Sequence, residues 1–179
     1  MLVTYQKPNR CFNIQKSKFD LKKEMPKLPT NECYKFISVN GGYASISFIM
    51  RVAQEKKIKE LTATTLRVGE KEFKQLDYLY KQKRIEKCQF IIGSIMKENK
   101  NKYKHYYDDF VSVCEKNEWE YKVYTNHSKI ILMRTDEDYY VLETSSNLNE
   151  NPKMEQFSFE NSKELYEFYY NIIEEVIKL

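Results

Sequence analysis

Between Cys33 and Thr125 the chain alternates three times between a short apolar run and a segment whose apolar residues recur at helical spacing. CYKFISV precedes YASISFIMRVAQEKK, in which Ile46, Ile49, Met50 and Ala53 share a face. IKELTATTLRV precedes EKEFKQLDYLYKQKR, with Phe73, Leu76, Leu79 and Tyr80 aligned. KCQFIIG precedes KHYYDDFVSVCEKN, with Tyr106, Phe110, Val113 and Cys114 aligned, and EWEYKVYT closes the series as a fourth strand. Successive strand-helix units bury their apolar faces by laying helices on a largely parallel sheet.

Beyond that series, SKIILMR and YYVLET are separated by the acidic turn TDED, which predicts a hairpin and an antiparallel addition to the sheet. FSF follows as a short strand, and Asn161 or Ser162 caps a last helix, KELYEFYYNIIEEVIKL. Its aromatic residues have helical spacing and read as core. The expected class is α/β, a mixed, largely parallel sheet flanked by helices. No repeat or internal linker divides residues 33–179, which are expected to form one domain. Residues 1–32 read as a basic, partly ordered arm, broken by Pro8, Pro26 and Pro29, with Phe12, Ile14, Phe19 and Leu21 alternating loosely enough for a short edge strand.

At 179 residues the chain can bury roughly two-thirds of its unfolded surface without disulfides or metal. Cys11, Cys33, Cys88 and Cys114 form no C-x-x-C pair and His and Cys do not cluster, so free thiols, no metal and no cofactor are expected. No run approaches the ~18 apolar residues of a membrane span, and the start MLVTYQKPNR lacks a leader's apolar core, which predicts a cytoplasmic protein without a membrane partner. The net charge of +4 lies entirely in residues 1–32, with seven Lys/Arg against three Asp/Glu; from residue 33 onward the charges balance. Such a lead suits a polyanion, because phosphate contacts by Lys and Arg release counterions, although a solvated tail has the same composition.

The chain has two histidines, and one falls in HSKIILMRTDEDYYVLETSSNLNENPKME, residues 127–155. His127 and Lys129 stand two apart at the entrance to a strand, where alternation puts both on one face. A hairpin of matched strands returns the chain to its start, so Ser145 and Asn147 can join them. Glu155 supplies a carboxylate. An imidazole, an ammonium, an amide and an acid are what metal-free attack on a phosphodiester needs. Arg67, at the end of the second strand, lies at the edge where open α/β sheets place ligands. Gly41-Gly42, ahead of a helix start, offers backbone amides to an anion. Read singly, each of these is also an ordinary surface or turn residue, and His105 receives no role.

These residues resemble the phospholipase D superfamily, whose signature is H-x-K-x4-D followed by a small-residue loop and a downstream acid, and the nearest flavour is its single-motif, nuclease-like branch. His127 and Lys129 match the histidine and lysine, Ser145 and Asn147 the loop, and Glu155 the acid that orients the imidazole. Arg134 stands where the aspartate is expected, with Asp136 and Asp138 displaced into the turn, and Thr144 replaces a glycine. The resemblance implies a phospholipase D-like three-layer sandwich. It also implies a homodimer in which His127 of each copy meets a shared phosphate, with no metal. The expected function is a metal-independent phosphodiesterase, a nuclease with DNA ahead of RNA as substrate. The alternatives are a catalytically inactive nucleic-acid-binding protein on the same scaffold and an accessory protein using the scaffold alone.

Overall fold

A computed structural model describes residues 9–15, 21–39, 44–98, 104–150 and 153–179. In chain order these give β1 (Asn9–Gln15), α1 (Leu21–Glu24), β2 (Glu32–Ser38), α2 (Ser45–Glu55), β3 (Ile58–Thr65), α3 (Glu70–Lys81) and β4 (Ile85–Gly93). There follow α4 (Lys104–Lys116), β5 (Glu120–Tyr124), β6 (Ile130–Arg134), β7 (Tyr139–Thr144), β8 (Glu155–Asn161) and α5 (Lys163–Lys178). The three strand-helix pairs, the fourth strand, the hairpin and the final helix all form where the sequence pattern places them. Gly41-Gly42 lies outside the described residues.

All eight strands join one sheet in the order β1-β2-β8-β7-β6-β3-β4-β5. Six run in one direction and only β6 and β8 run against them. The hairpin and β8 sit in the middle of the sheet, between β2 and β3. Their composition explains why: Ile131, Leu132, Met133, Tyr140, Val141, Leu142, Phe157 and Phe159 are all buried, so these strands need a layer on both faces. An edge position could not supply it.

On one face, α2, α3 and α4 set Phe48, Ile49, Val52, Phe73, Leu76 and Phe110 against Phe36, Leu61, Ala63, Phe90, Met133, Phe157 and Phe159. Phe48 is the hub, with ring centroids 5.5 Å from Phe36, 5.2 Å from Phe157 and 5.4 Å from Phe159. On the other face α5 lays Tyr166 and Ile173 on Ile91, Leu132 and Val141. The result is a three-layer α/β sandwich.

Local chemistry sets the boundaries. Ser162 caps α5, its Oγ accepting from Leu165 N at 3.3 Å. Asn161 instead closes the hairpin: its Oδ1 accepts from Tyr139 N at 2.9 Å and its Nδ2 donates to Asp138 at 2.7 Å. Helices α3 and α4 end on Lys83 and Glu118 at φ 56°, where Arg84 N donates to Leu79 O and Trp119 N to Cys114 O. Near the N-terminus, β1 pairs in parallel with β2. Buried Arg51 of α2 donates to the carbonyls of Met25 (3.1 Å) and Pro26 (2.9 Å), which fixes the segment after α1.

Candidate active site at the carboxyl edge of the sheet

Because β6 and β8 run against the other strands, their amino ends meet the carboxyl ends of β2, β3, β4, β5 and β7 along one edge. His127 and Lys129 precede β6, Ser145 and Asn147 follow β7, Glu155 opens β8 and Arg67 follows β3. Every candidate residue therefore lies on the edge where open α/β sheets bind ligands.

The turn carrying His127 is pinned from below. Asn126 Nδ2 donates to the carbonyls of Thr65 and Ile91, both at 3.2 Å, tying the β5–β6 connection over the ends of β3 and β4. Its Oδ1 accepts from Ser128 N at 2.9 Å, an Asx turn, and Ser128 Oγ reaches Thr64 Oγ1 at 2.8 Å. Sequence reading passed over Asn126. Its visible signal was the Asn-x-Ser turn pattern immediately around the histidine.

His127 is exposed, and its Nδ1 lies 3.1 Å from Lys129 Nζ, which also donates to His127 O at 2.6 Å. An ammonium has donors only, so in this contact Nδ1 is the accepting atom. Lys129 is half-buried. Burial lowers its ammonium below the ordinary 10.5, while the Glu155 carboxylate pulls the other way. A partly desolvated cation of this kind gains from a second anion nearby.

Glu155 is only 7% exposed. Ser145 Oγ donates to its carboxylate and accepts from Gln156 N at 3.0 Å, so the serine relays a backbone donor to the acid. Asn147 belongs to the other flank of the edge. Ser45 Oγ, at the start of α2, donates to the carbonyls of Ser146 (3.2 Å) and Asn147 (3.4 Å). Leu148 N donates to Thr65 Oγ1 at 3.0 Å, and Gly69 N to Leu148 O at 2.8 Å. A parallel bridge between Val68 and Leu148 places Arg67 and Asn147 at neighbouring positions. The Asn147 side-chain oxygen is buried without a hydrogen-bond partner among the described residues.

The edge thus brings His127 to Lys129, Lys129 into the field of Glu155, Ser145 to Glu155, and Arg67 beside Asn147. Arg134 is elsewhere. It lies at the far end of β6, five residues from Lys129 or roughly 16 Å along a strand, and its guanidinium pairs with Glu60 on β3 at 3.3 Å. Of the two turn aspartates, Asp138 is held by Lys56 and Asn161, which take its carboxyl below the ordinary range against the effect of its own burial. Among the described residues no group of three His, Cys, Asp or Glu side chains is placed to hold a metal ion, and no helix is long and apolar enough to cross a membrane.

No protein-family model matches the chain, and no curated protein does. Solved structures do match it in fold. The chain is similar to polyphosphate kinase from Porphyromonas gingivalis, with a TM-score of 0.60, 11% identity, and coverage of 84% of this chain and 28% of that one. It is similar to phosphatidylserine synthase from Haemophilus influenzae Rd KW20, with a TM-score of 0.52, 12% identity, and coverage of 80% and 38%. A third likeness, with a TM-score of 0.51, 10% identity and coverage of 88% and 58%, is to an archaeal chromatin protein whose structure shows a novel mode of DNA binding. The chain spans between 28% and 58% of the length of these proteins, and at 10–12% identity the likeness is one of fold. The architecture is a mixed, largely parallel α/β sheet flanked by helices, the class expected from the sequence, and these solved structures share it.

Proposed function

We propose that this protein is a metal-independent phosphodiesterase acting on nucleic acid, a nuclease that works as a homodimer with His127 of each copy at a shared phosphate. The observation that carries the reading is the contact of Lys129 with His127 Nδ1 at the carboxyl edge, within the field of Glu155. When a phosphate oxygen draws Lys129 away, Nδ1 becomes free to hold the ring proton and the Nε2 lone pair turns outward. That lone pair attacks phosphorus and the bond to the leaving oxygen breaks, the oxygen taking a proton from the partner's His127. Water then gives a proton back to the partner's imidazole and attacks the phosphohistidine, which returns His127 and releases a phosphomonoester. Lys129 and Asn147 hold the non-bridging oxygens, Ser145 and Arg67 contact the substrate backbone, and Glu155 keeps the imidazole oriented.

A second reading, an inactive nucleic-acid-binding protein, is favoured by two observations. Arg134 occupies the position of the family aspartate, and the ammonium of Lys129, a donor, lies against His127 Nδ1 where an orienting acceptor would stand. Incubating the chain with single- and double-stranded DNA and RNA in EDTA, beside His127→Ala, separates the two. EDTA-resistant cleavage that the substitution abolishes supports the enzyme. Salt-sensitive retention of intact nucleic acid by both proteins supports the binder.

A further inference from the structure

Lys129 belongs to two places at once. Besides touching His127, it forms one end of a pocket of about 570 Å³ on the α5 side of the sheet. The register explains the pocket: Lys35 lies opposite Ser158, Ser158 opposite Glu143, and Glu143 opposite Ile130. Cross-strand neighbours share a face, so these four side chains form one row across three strand spacings, about 14 Å. Helix α5 covers the β6–β7 end of that row, where Tyr169 OH donates to Glu143. Toward β8 and β2 the row is open, and Ile37 stands 43% exposed beside it.

We propose that this pocket is a nucleoside subsite, and that the substrate is therefore single-stranded nucleic acid. The inference rests on the nuclease reading for the role of Lys129 and goes beyond it by naming the form of the substrate. The volume falls within the roughly 300–1,000 Å³ of small-ligand sites and suits one nucleoside. Its chemistry suits one as well. Ile37 and Ile130 give a planar heterocycle an apolar floor, Gln156 and Glu143 offer an amide and a carboxylate to its polar edge, and Lys129 and Lys35 stand at opposite ends. A nucleoside within a strand carries a phosphate on each side, which is the charge pattern those two lysines match. In a duplex the base is stacked and its pairing edge is occupied, so only an unpaired or extruded base can enter.

The test uses the full chain with His127→Ala in EDTA, so that substrate stays intact. Fluorescence anisotropy compares a labelled single strand with the duplex of the same sequence, with and without the charge-neutral pair Ile37→Ala and Gln156→Ala. Both residues are exposed, and no change in net charge alters general phosphate attraction. Single-strand affinity should fall about tenfold, or about 1.4 kcal/mol, with duplex affinity unchanged. Equal single-strand affinity, or a parallel fall for both forms, overturns the proposal. A photocrosslink supplies an independent readout: a single strand bearing 5-iodouracil should label peptides spanning 32–38 or 155–161, and labelling confined to other segments counts against the pocket. The two proposals fail separately. Absent cleavage with intact single-strand selectivity removes the enzyme and keeps the pocket, whereas unchanged affinity in the variant removes the pocket whatever the cleavage assay gives.

Discussion

The two sides of the sheet are built from different chemistry. Under α2, α3 and α4 the strands present Phe36, Leu61, Ala63, Phe90, Met133 and Phe157, and the layer is held by close apolar and aromatic contact. Under α5 the same strands present Glu60, Thr62, Gln89 and Arg134 beside a smaller apolar cluster. Thr62 Oγ1 donates to Gln89 Oε1 at 3.1 Å, Gln89 Nε2 to Glu174 at 2.6 Å, and Tyr170 OH to Glu60 at 3.3 Å. Dispersion and burial are tolerant of direction, whereas each of these polar groups needs its particular partner. The first side is therefore held by apolar burial and the second by specific partners. The second leaves the sheet partly open, and the pocket beside Lys129 lies there.

The largest test of that contrast is Phe48→Ala on the dry side. Phe48 is fully buried among three aromatic rings, so its removal should cost about 3–5 kcal/mol. A urea titration reads it as a lowered midpoint at unchanged slope. A loss below that of the next substitution would mean that the two sides are not built differently.

On the polar side, Arg134→Met removes the guanidinium facing Glu60, which is 7% exposed. The side chain of Arg134 is itself 40% exposed, so water screens the pair and the full cost of breaking a buried ion pair does not apply. Leaving the Glu60 carboxylate with only Tyr170 and a distant Lys87 should cost about 1–3 kcal/mol. Adding Glu60→Leu should recover most of that loss, because replacing both partners strands neither. If the double variant is no more stable than Arg134→Met alone, the network contributes more than this pair.

How much of this was readable beforehand follows from the range of each interaction. The strand-helix alternation, the hairpin and the Ser162 cap are written within a few residues, and the His127–Lys129 contact follows from an i, i+2 spacing. The central position of the hairpin is not local. It depends on β6 pairing with β3, as in Glu60 opposite Arg134, and on both faces of β6, β7 and β8 being apolar at once. The same holds for Asn126, whose partners Thr65 and Ile91 are remote in sequence. Asn147 was readable as a residue of the edge. That Ser45 and Thr65 hold its loop through backbone groups was not, since hydroxyls at those places look like ordinary strand and helix-start residues.

One carboxylate breaks the pattern of the dry side, and it gives the smallest and most specific test. Glu72 of α3 is 2% exposed, and one of its oxygens has no hydrogen-bond partner among the described residues. Burial pushes its carboxyl above the ordinary 4.5, the neighbouring Glu150 adds to the rise, and backbone donors of Glu72 and Glu150 together with Lys71 oppose it. A folded-state value above the unfolded one means that the ionised form is disfavoured by folding. The resulting destabilisation is complete above the raised value, where both states are ionised. It shrinks as pH falls through the raised value and is gone below about 4.5, where both states are protonated. Glu72→Gln keeps an oxygen to accept from the Glu150 backbone while discarding the charge. The variant should therefore melt higher than the parent at pH 7, with the gain narrowing on acidification and vanishing below the ordinary carboxylate range. A gain that persists at pH 4 would place its origin in packing rather than ionisation. A loss at pH 7 would show that the charged carboxylate, through its hold on the 145–150 loop, stabilises this edge more than its burial costs.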